Sequence, residues 1–347
     1  MQAMVVQPGR PGTAAVAEVP GPIGTGDVVV DGLLVGICGT DREIAAGLHG
    51  EAPPGDHRLV IGHESLGRVA SAPPGSGLAE GDLVVGIVRR PDPVPCHPCS
   101  VGAWDMCRNG LYTERGIKGL HGFGAEQWRI EHEFAVKVDP GLGDTAVLLE
   151  PASIVAKAWD HIAAIAGRSP VTPRCVLVTG AGPVGLLAAL LGAQRGLEVH
   201  VMDQRTDGPK PELVAALGAT YHHDLDEMPE PDIVIECTGV PSVVLDVLTH
   251  ERPAGIVCLT GVSAPGTESE VDLGALNRRI VLQNDVIFGS VNANRQHYAQ
   301  AASALAAADH AWLGRMVTRR VPLASWTTGL LAGPDDVKVV VELTGGG

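Results

Sequence analysis

Four side chains in the N-terminal part of the chain are of types that together hold a transition metal. They are Cys38 in Gly36-Ile37-Cys38-Gly39-Thr40-Asp41, His63 and Glu64 in Gly62-His63-Glu64, and Glu150 in Glu150-Pro151. One thiolate, one imidazole and one carboxylate form the mixed set of a catalytic zinc site, which takes three protein ligands and keeps a fourth position open. Taken singly each is ordinary, since a lone cysteine is usually core and a lone histidine usually structural or solvated. The residues alone do not rank Glu64 against Glu150 as the carboxylate. Three further thiols, Cys96, Cys99 and Cys107, make a Cys-x2-Cys-x7-Cys pattern flanked by prolines and glycine, which suggests a structural zinc knob. A closed site needs a fourth ligand, for which Asp92 or His97 is available. The plain alternative is a reduced thiol cluster in an exposed loop.

A second chemistry is encoded further on. Gly180-Ala181-Gly182-Pro183-Val184-Gly185 is a G-x-G-x-x-G string lying between a strand pattern and a helical pattern, the context a dinucleotide site requires. Gly180 permits the tight turn, Gly182 lets the backbone approach a pyrophosphate at the helix N-terminus, and Gly185 allows close helix–strand packing. Pro183 and Val184 open that helix and are candidate cofactor contacts. Asp203 closes the next strand pattern, where a carboxylate accepts the adenosine ribose 2′-hydroxyl of NAD. Arg205, two residues on, is suited to the 2′-phosphate of NADP. Dual use of the two cofactors is the expectation.

These residues need elements to position them. Up to about residue 150 short apolar runs such as Val28-Val29-Val30 and Leu83 to Val88 alternate with Gly/Pro/Asp turns, a β-rich pattern. Near residue 170 the pattern changes. Cys175 to Thr179, Glu198 to Met202, Asp232 to Cys237 and Gly255 to Leu259 read as buried parallel strands, with a helix over Val184 to Arg195. Strands alternating with helices imply βαβ units and a doubly wound parallel sheet. After about 290 the alternation stops, and the chain ends in a helix, His297 to Ala307, and strand-like runs. The last three glycines are expected to fray.

Bulk properties exclude several classes. At 347 residues, 45% of them hydrophobic, the chain can build two ordinary domains. A net charge of −15 repels phosphate polymers and anionic membranes, so nucleic-acid and peripheral membrane roles are excluded. The N-terminus lacks a basic segment leading into an apolar run, and no apolar stretch is long enough to span a bilayer, so a cytoplasmic enzyme is expected. Seven cysteines, an odd number, argue against a disulfide framework. Cys175, Cys237 and Cys258 read as small buried core residues.

The chain resembles the zinc-containing medium-chain dehydrogenase/reductase superfamily along essentially its whole length, and within it the glucose (aldose) 1-dehydrogenase family. The strings that carry the resemblance are Cys38-Gly39-Thr40-Asp41-Arg42-Glu43-Ile44, Gly62-His63-Glu64-Ser65-Leu66-Gly67, Tyr112-Thr113-Glu114-Arg115-Gly116-Ile117-Lys118, Leu149-Glu150-Pro151 and Gly289-Ser290-Val291-Asn292-Ala293-Asn294-Arg295. Two departures stand out. Pro93 occupies the position where the family usually has a further knob cysteine, and Ala152 stands where it often has a hydroxyl residue.

The resemblance implies a GroES-like β-rich catalytic domain from residues 1–155 and 291–347 around a Rossmann domain of residues 156–290, with the active site in the cleft and a homotetramer in solution. It implies that Cys38, His63 and Glu150 hold the zinc, with Glu64 nearby as an exchanging ligand. The implied reaction is oxidation of an aldose, best D-glucose, at C1 to the lactone with hydride transfer to NAD or NADP. Thr40 is placed to relay the proton, with Glu64 or Glu150 assisting as base. Glu114 and Asn292 match the family's sugar-binding positions, and Asn292 is also a cofactor candidate. The structural alternatives are a carboxylate paired with Arg115 for Glu114, and a turn or N-cap residue for Asn292. Rival readings are a polyol, aminocyclitol or other sugar dehydrogenase, a zinc-free reductase of the quinone reductase type, and a dinucleotide sensor.

Overall fold

A computed structural model of the chain describes residues 1–224, 228–250, 252–263, 266 and 270–344. The terminal glycines lie outside the described residues. The chain forms two compact units: Met1–Ser153 with Asn292–Gly347, and Ile154–Val291.

In the first unit the β-rich pattern becomes a seven-stranded sheet built around Val28–Ile37, a strand long enough to pair with three others. Along one side it pairs antiparallel with Glu64–Ser71, placing Gly36 opposite Glu64. It also pairs with Gln127–Ile130 and with the C-terminal strand Lys338–Glu342, Val339 lying opposite Ile37. The valine run 339–341 has alternate faces to bury, and pairing with Val28–Ile37 buries them. That is why the C-terminal tail belongs to this unit rather than to the sheet that precedes it in sequence. Trp128, Phe123 and Trp326 anchor its core, with Phe123 and Trp128 tilted at 4.8 Å between ring centroids. A small sheet of Arg89–Arg90, Thr113–Arg115 and Gly119–Leu120 adjoins it in sequence order.

The second unit is a six-stranded, all-parallel sheet. Its order is Thr220–His222, Glu198–Met202, Cys175–Thr179, Ile233–Glu236, Ile256–Leu259, Val286–Gly289. Numbered along the chain this is 3-2-1-4-5-6, the doubly wound dinucleotide-binding order. The first strand is buried at all five positions, as expected of a parallel strand covered on both faces. The order reverses between Cys175–Thr179 and Ile233–Glu236, so the crevice for a ligand opens at their C-terminal ends. Among the described residues no helix is long and apolar enough to cross a membrane.

Candidate functional site

Strand register assembles the first constellation. Cys38 follows the strand Val28–Ile37 and caps the helix Gly39–Ala45, while His63 directly precedes the strand Glu64–Ser71. Cys38 Sγ lies 3.1 Å from His63 Nε2. One ligand atom each from Cys38, His63 and Glu64 falls within 4.8 Å of the others. Gly62, at φ +91, makes the bend that turns His63 inward, and a side chain there would come within 2.7 Å of Val35 Cγ1.

Around this trio the structure places three charged residues that a zinc site can use. Asp41, fully buried, accepts the Cys38 backbone N–H at 2.9 Å and sets Oδ1 3.5 Å from His63 Nδ1. They face each other as a buried ion pair slightly too long for a well-formed hydrogen bond, and neither atom has a hydrogen-bond partner. Burial disfavours the Asp41 charge, but His63, the Cys38 amide and Lys338 outweigh it and hold its carboxyl below the usual range. His63 in turn is raised well above its ordinary value, because Cys38 and Asp41 overcome its burial. Glu150, in the first turn of the helix Leu149–Ala166, is buried; burial and the Glu64 and Asp41 carboxylates push it up to about 7 against the pull of His63 and Lys338. It stands beside the trio rather than within it. Glu64 is paired with the fully buried Lys338, whose Nζ also points to the Ile37 carbonyl. Gly36 makes this possible, because a Cβ there would overlap the Glu64 carboxylate.

The donor set fits zinc. A soft thiolate, an imidazole nitrogen and a carboxylate converge, and a buried carboxylate backs the imidazole on its other nitrogen, as metal-bound histidines require.

The knob thiols also converge. Cys96, Cys99 and Cys107 fall within 4.8 Å of one another as free cysteines. The Arg108 backbone N–H donates to Cys96 Sγ at 3.4 Å; this and a second amide lower the Cys96 thiol to about 7, while burial lifts Cys99 to about 11. Three thiols with amide donors fit a thiolate-bound metal. Neither Asp92 nor His97 joins the cluster. Asp92 is buried and caps the Val94 amide at 2.8 Å, and His97 is exposed.

Glu114 and Asn292, far apart in sequence, meet. Asn292 Nδ2 donates to Glu114 Oε1 at 2.8 Å. Arg89 adds Nε at 3.1 Å and Nη2 at 3.0 Å to the same oxygen. The expected alternative partner was Arg115. That residue is instead buried, stacks its guanidinium over Phe123 at 4.7 Å and donates to the Arg129 carbonyl, because its alternate position on the short strand turns it away from Glu114. Asn292 is not an N-cap either: Asn294 caps the helix Arg295–Ala306, and Asn292 holds a left-handed φ of +62. Gly116, two residues after Glu114, packs against Gly62 and so ties this pair to the bend before His63.

In the second unit Gly180 takes φ +89 and Gly182 caps the helix Pro183–Gln194 with nothing within 4 Å of where a Cβ would lie, the open approach a pyrophosphate needs. A Cβ on Gly185 would overlap the Gly180 carbonyl, so close helix–strand packing is built on that glycine. Asp203 accepts the Ala181 N–H at 2.7 Å, the Arg205 N–H at 3.1 Å and Lys210 Nζ at 2.9 Å, which outweigh burial and keep its carboxyl low. Cys175 and Cys258 are buried as expected; Cys237 is only partly so, lying just beyond its strand against the Thr260 hydroxyl at 3.3 Å.

Sequence reasoning assigned no role to Asp41, Lys338, Arg89 or Lys210. Asp41 carried a signal, the cap-plus-three spacing from Cys38. Lys338 carried a fainter one, a lone lysine opening a valine run.

A parallel sheet with a glycine-turn cofactor site, and a zinc-type ligand set in a β-rich unit, define a medium-chain dehydrogenase. Residues 143–343 match the glucose dehydrogenase C-terminus family and residues 24–140 the alcohol dehydrogenase GroES-like domain family. The chain is 39% identical to a glucose 1-dehydrogenase of Methanocella arvoryzae and 40% identical to one of Thermoproteus tenax, each alignment covering 99% of both chains. It superposes at a TM-score of 0.90, with 30% identity over 99% of this chain and 100% of the other, on Haloferax mediterranei glucose dehydrogenase in complex with NADP, Zn and gluconolactone. The chain therefore belongs to the glucose dehydrogenase family of zinc-containing medium-chain dehydrogenase/reductases.

Proposed function

We propose that this protein is an NAD(P)-dependent glucose 1-dehydrogenase that oxidises an aldose, D-glucose best, at C1 to the aldonolactone. The observation that carries the proposal is the convergence of Cys38, His63 and Glu64 within 4.8 Å in a chain alignable end to end with glucose 1-dehydrogenases. Residues 1–155 and 291–347 serve as the catalytic domain and residues 156–290 as the dinucleotide domain.

Cys38, His63 and a carboxylate, Glu150 or Glu64, would hold the zinc. When bound, zinc supplies Lewis acidity at the sugar's C1 hydroxyl, and the dinucleotide accepts the hydride. Thr40, two residues past Cys38 in the first turn of its helix, offers a hydroxyl to relay the C1 proton. Whichever of Glu64 and Glu150 does not hold the metal would assist as base. Lys338 neutralises Glu64, which favours Glu150 as the base. Asp41 orients the His63 ring.

Glu114 takes its three donors on Oε1, which leaves Oε2 for a sugar hydroxyl. A site that bonds hydroxyls rejects analogues lacking them. Gly180, Gly182, Pro183, Val184 and Gly185 would hold the pyrophosphate, and Asn292 remains a cofactor candidate beside its bond to Glu114. Asp203 offers an acceptor to a ribose hydroxyl, while Lys210 and Arg205 offer cations to a 2′-phosphate, so both cofactors are used. The knob thiols take a second, structural zinc. A homotetramer in the cytoplasm completes the reading.

The test is a panel of aldoses and polyols followed by NAD(P)H absorbance, with both cofactors, on metal-replete and chelator-stripped enzyme. Glucose is expected to lead and activity to vanish on stripping and return with zinc. A polyol outpacing every aldose, or full activity without metal, overturns the proposal. Cys38→Ala and His63→Ala are expected to abolish turnover while dinucleotide binding, read by fluorescence, persists.

A further inference from the structure

Within the second unit, a third group of side chains meets the same closeness as the two described above. Cys175, Glu198 and His200 each bring one ligand atom within 4.8 Å of the other two. Parallel register creates the group: Cys175 pairs with Glu198 and Leu177 with His200, so Cys175 sits beside Glu198, and His200, two residues on, faces the same side. Cys175 and His200 are buried, and Glu198 stands at the exposed edge with 67% of its side chain accessible.

The hydrogen bonding of the group has room for a cation. His200 Nδ1 lies 2.8 Å from His222 Nε2, so one proton bridges the two rings. His200 Nε2 lies 3.2 Å from Glu198 Oε1. In one tautomer His200 donates from Nε2 to Glu198 and accepts from His222 at Nδ1; in the other it donates from Nδ1 to His222, and its Nε2 lone pair then faces the carboxylate with a place for a cation between them. The arrangement is also that of a metal-bound histidine, whose second nitrogen donates to an orienting partner. Asp232 does not compete for the ion, because its Oδ2 is committed to the backbone amides of Arg174 at 2.7 Å and Cys175 at 3.0 Å.

We propose that Cys175, Glu198 and His200 form a third, structural zinc site that ties together the N-terminal ends of the strands Cys175–Thr179 and Glu198–Met202. Thiolate, imidazole and carboxylate are the donors zinc prefers, and zinc–ligand lengths of about 2.0–2.3 Å are reached from donors this close by small side-chain adjustments. The thiol gives up its proton to solvent when the ion binds. Before then burial, Glu198 and Asp232 hold the thiol up at about 11, so uptake should be accompanied by proton release. Solvent at the Glu198 edge fills the fourth position. The site lies at the opposite end of the strand from Gly180, about 16 Å away for five residues, so it acts on stability rather than on turnover.

The experiment uses the full-length enzyme, stripped, reloaded with zinc, desalted and assayed for metal per chain. Affinities come from competition with a chromophoric chelator, and cobalt replaces zinc for absorption spectra. Wild type is expected to keep one more zinc per chain than Cys175→Ser or His200→Gln, and to show thiolate-to-cobalt charge transfer that Cys175→Ser lacks in part. Glu198→Ala, which alters only an exposed side chain, tests the idea even if the other variants misfold. It is expected to bind this ion about tenfold more weakly or worse while oxidising glucose at the wild-type rate. Equal zinc content and equal affinity in wild type and Glu198→Ala would leave a proton, not a metal, between these groups and overturn the proposal.

Discussion

Glu114→Ala removes an acceptor that holds three donors on one oxygen, with Arg89 Nη2 at 3.0 Å, Arg89 Nε at 3.1 Å and Asn292 Nδ2 at 2.8 Å. Two consequences can be separated. In the free protein Arg89 loses its counter-ion but keeps the Asp105 carbonyl at 3.3 Å and the Tyr112 ring at 3.7 Å, so folding weakens by about 1.5–3 kcal/mol. At the proposed sugar site, one carboxylate–hydroxyl hydrogen bond is expected to be lost. A charge-assisted bond of about 1.5–3 kcal/mol corresponds to about a 10- to 150-fold loss in kcat/KM for glucose. The assay compares kcat/KM for D-glucose and for a small alcohol in wild type, Glu114→Ala, Asn292→Ala and the double variant, with a melting curve for each. The small alcohol is expected to lose little. Because Asn292 acts on Glu114 directly, the two losses should be non-additive by about 0.5–3 kcal/mol. Equal losses for both substrates, or strict additivity, would refute the view that the pair forms one sugar-binding unit.

Other outcomes follow from the same geometry. Asp203→Ala is expected to raise KM for NAD more than for NADP, and Lys210→Ala to do the reverse; the opposite order in initial-rate assays would reassign both residues. Lys338→Met leaves the Glu64 carboxylate buried and unpaired, so it should lower stability by about 3–5 kcal/mol. Adding Glu64→Gln should restore much of that loss in thermal melts, and a double variant whose loss equals the sum of the singles would show that the pair is not energetically coupled.

The parts of the fold read directly from sequence are those whose pattern is local. The doubly wound sheet was legible through its four central strands, each a short apolar run closed by a turn with the glycine string at the first such turn, whereas the edge strands Thr220–His222, which is not apolar, and Val286–Gly289 were not read. In the sequence the alternation stops near 290, and the contact boundary of the two units falls between Val291 and Asn292. Less was legible where two residue types compete for one role. Arg115 adjoins Glu114 in sequence, yet the strand alternates side chains and hands the pairing to Arg89 on the neighbouring strand. Asn292 and Asn294 are equally good caps by composition, and only backbone conformation separates them.

By itself the sequence determined which chemistries are present: a glycine turn that admits a pyrophosphate, a thiol, imidazole and carboxylates fit for zinc, and three knob thiols. Those depend on residue type and short spacing, which the chain carries wherever it folds. The tertiary structure alone decided which charges face one another. Lys338 reaches Glu64 because the last strand pairs with Val28–Ile37 in one register, and a slip of one residue would turn that lysine to the other face. Arg89 meets Glu114, Lys210 meets Asp203, and His200 meets Glu198 and Cys175 for the same reason: sheet register and helix docking are set by burying the whole apolar surface at once, a sum over distant residues that no short spacing encodes.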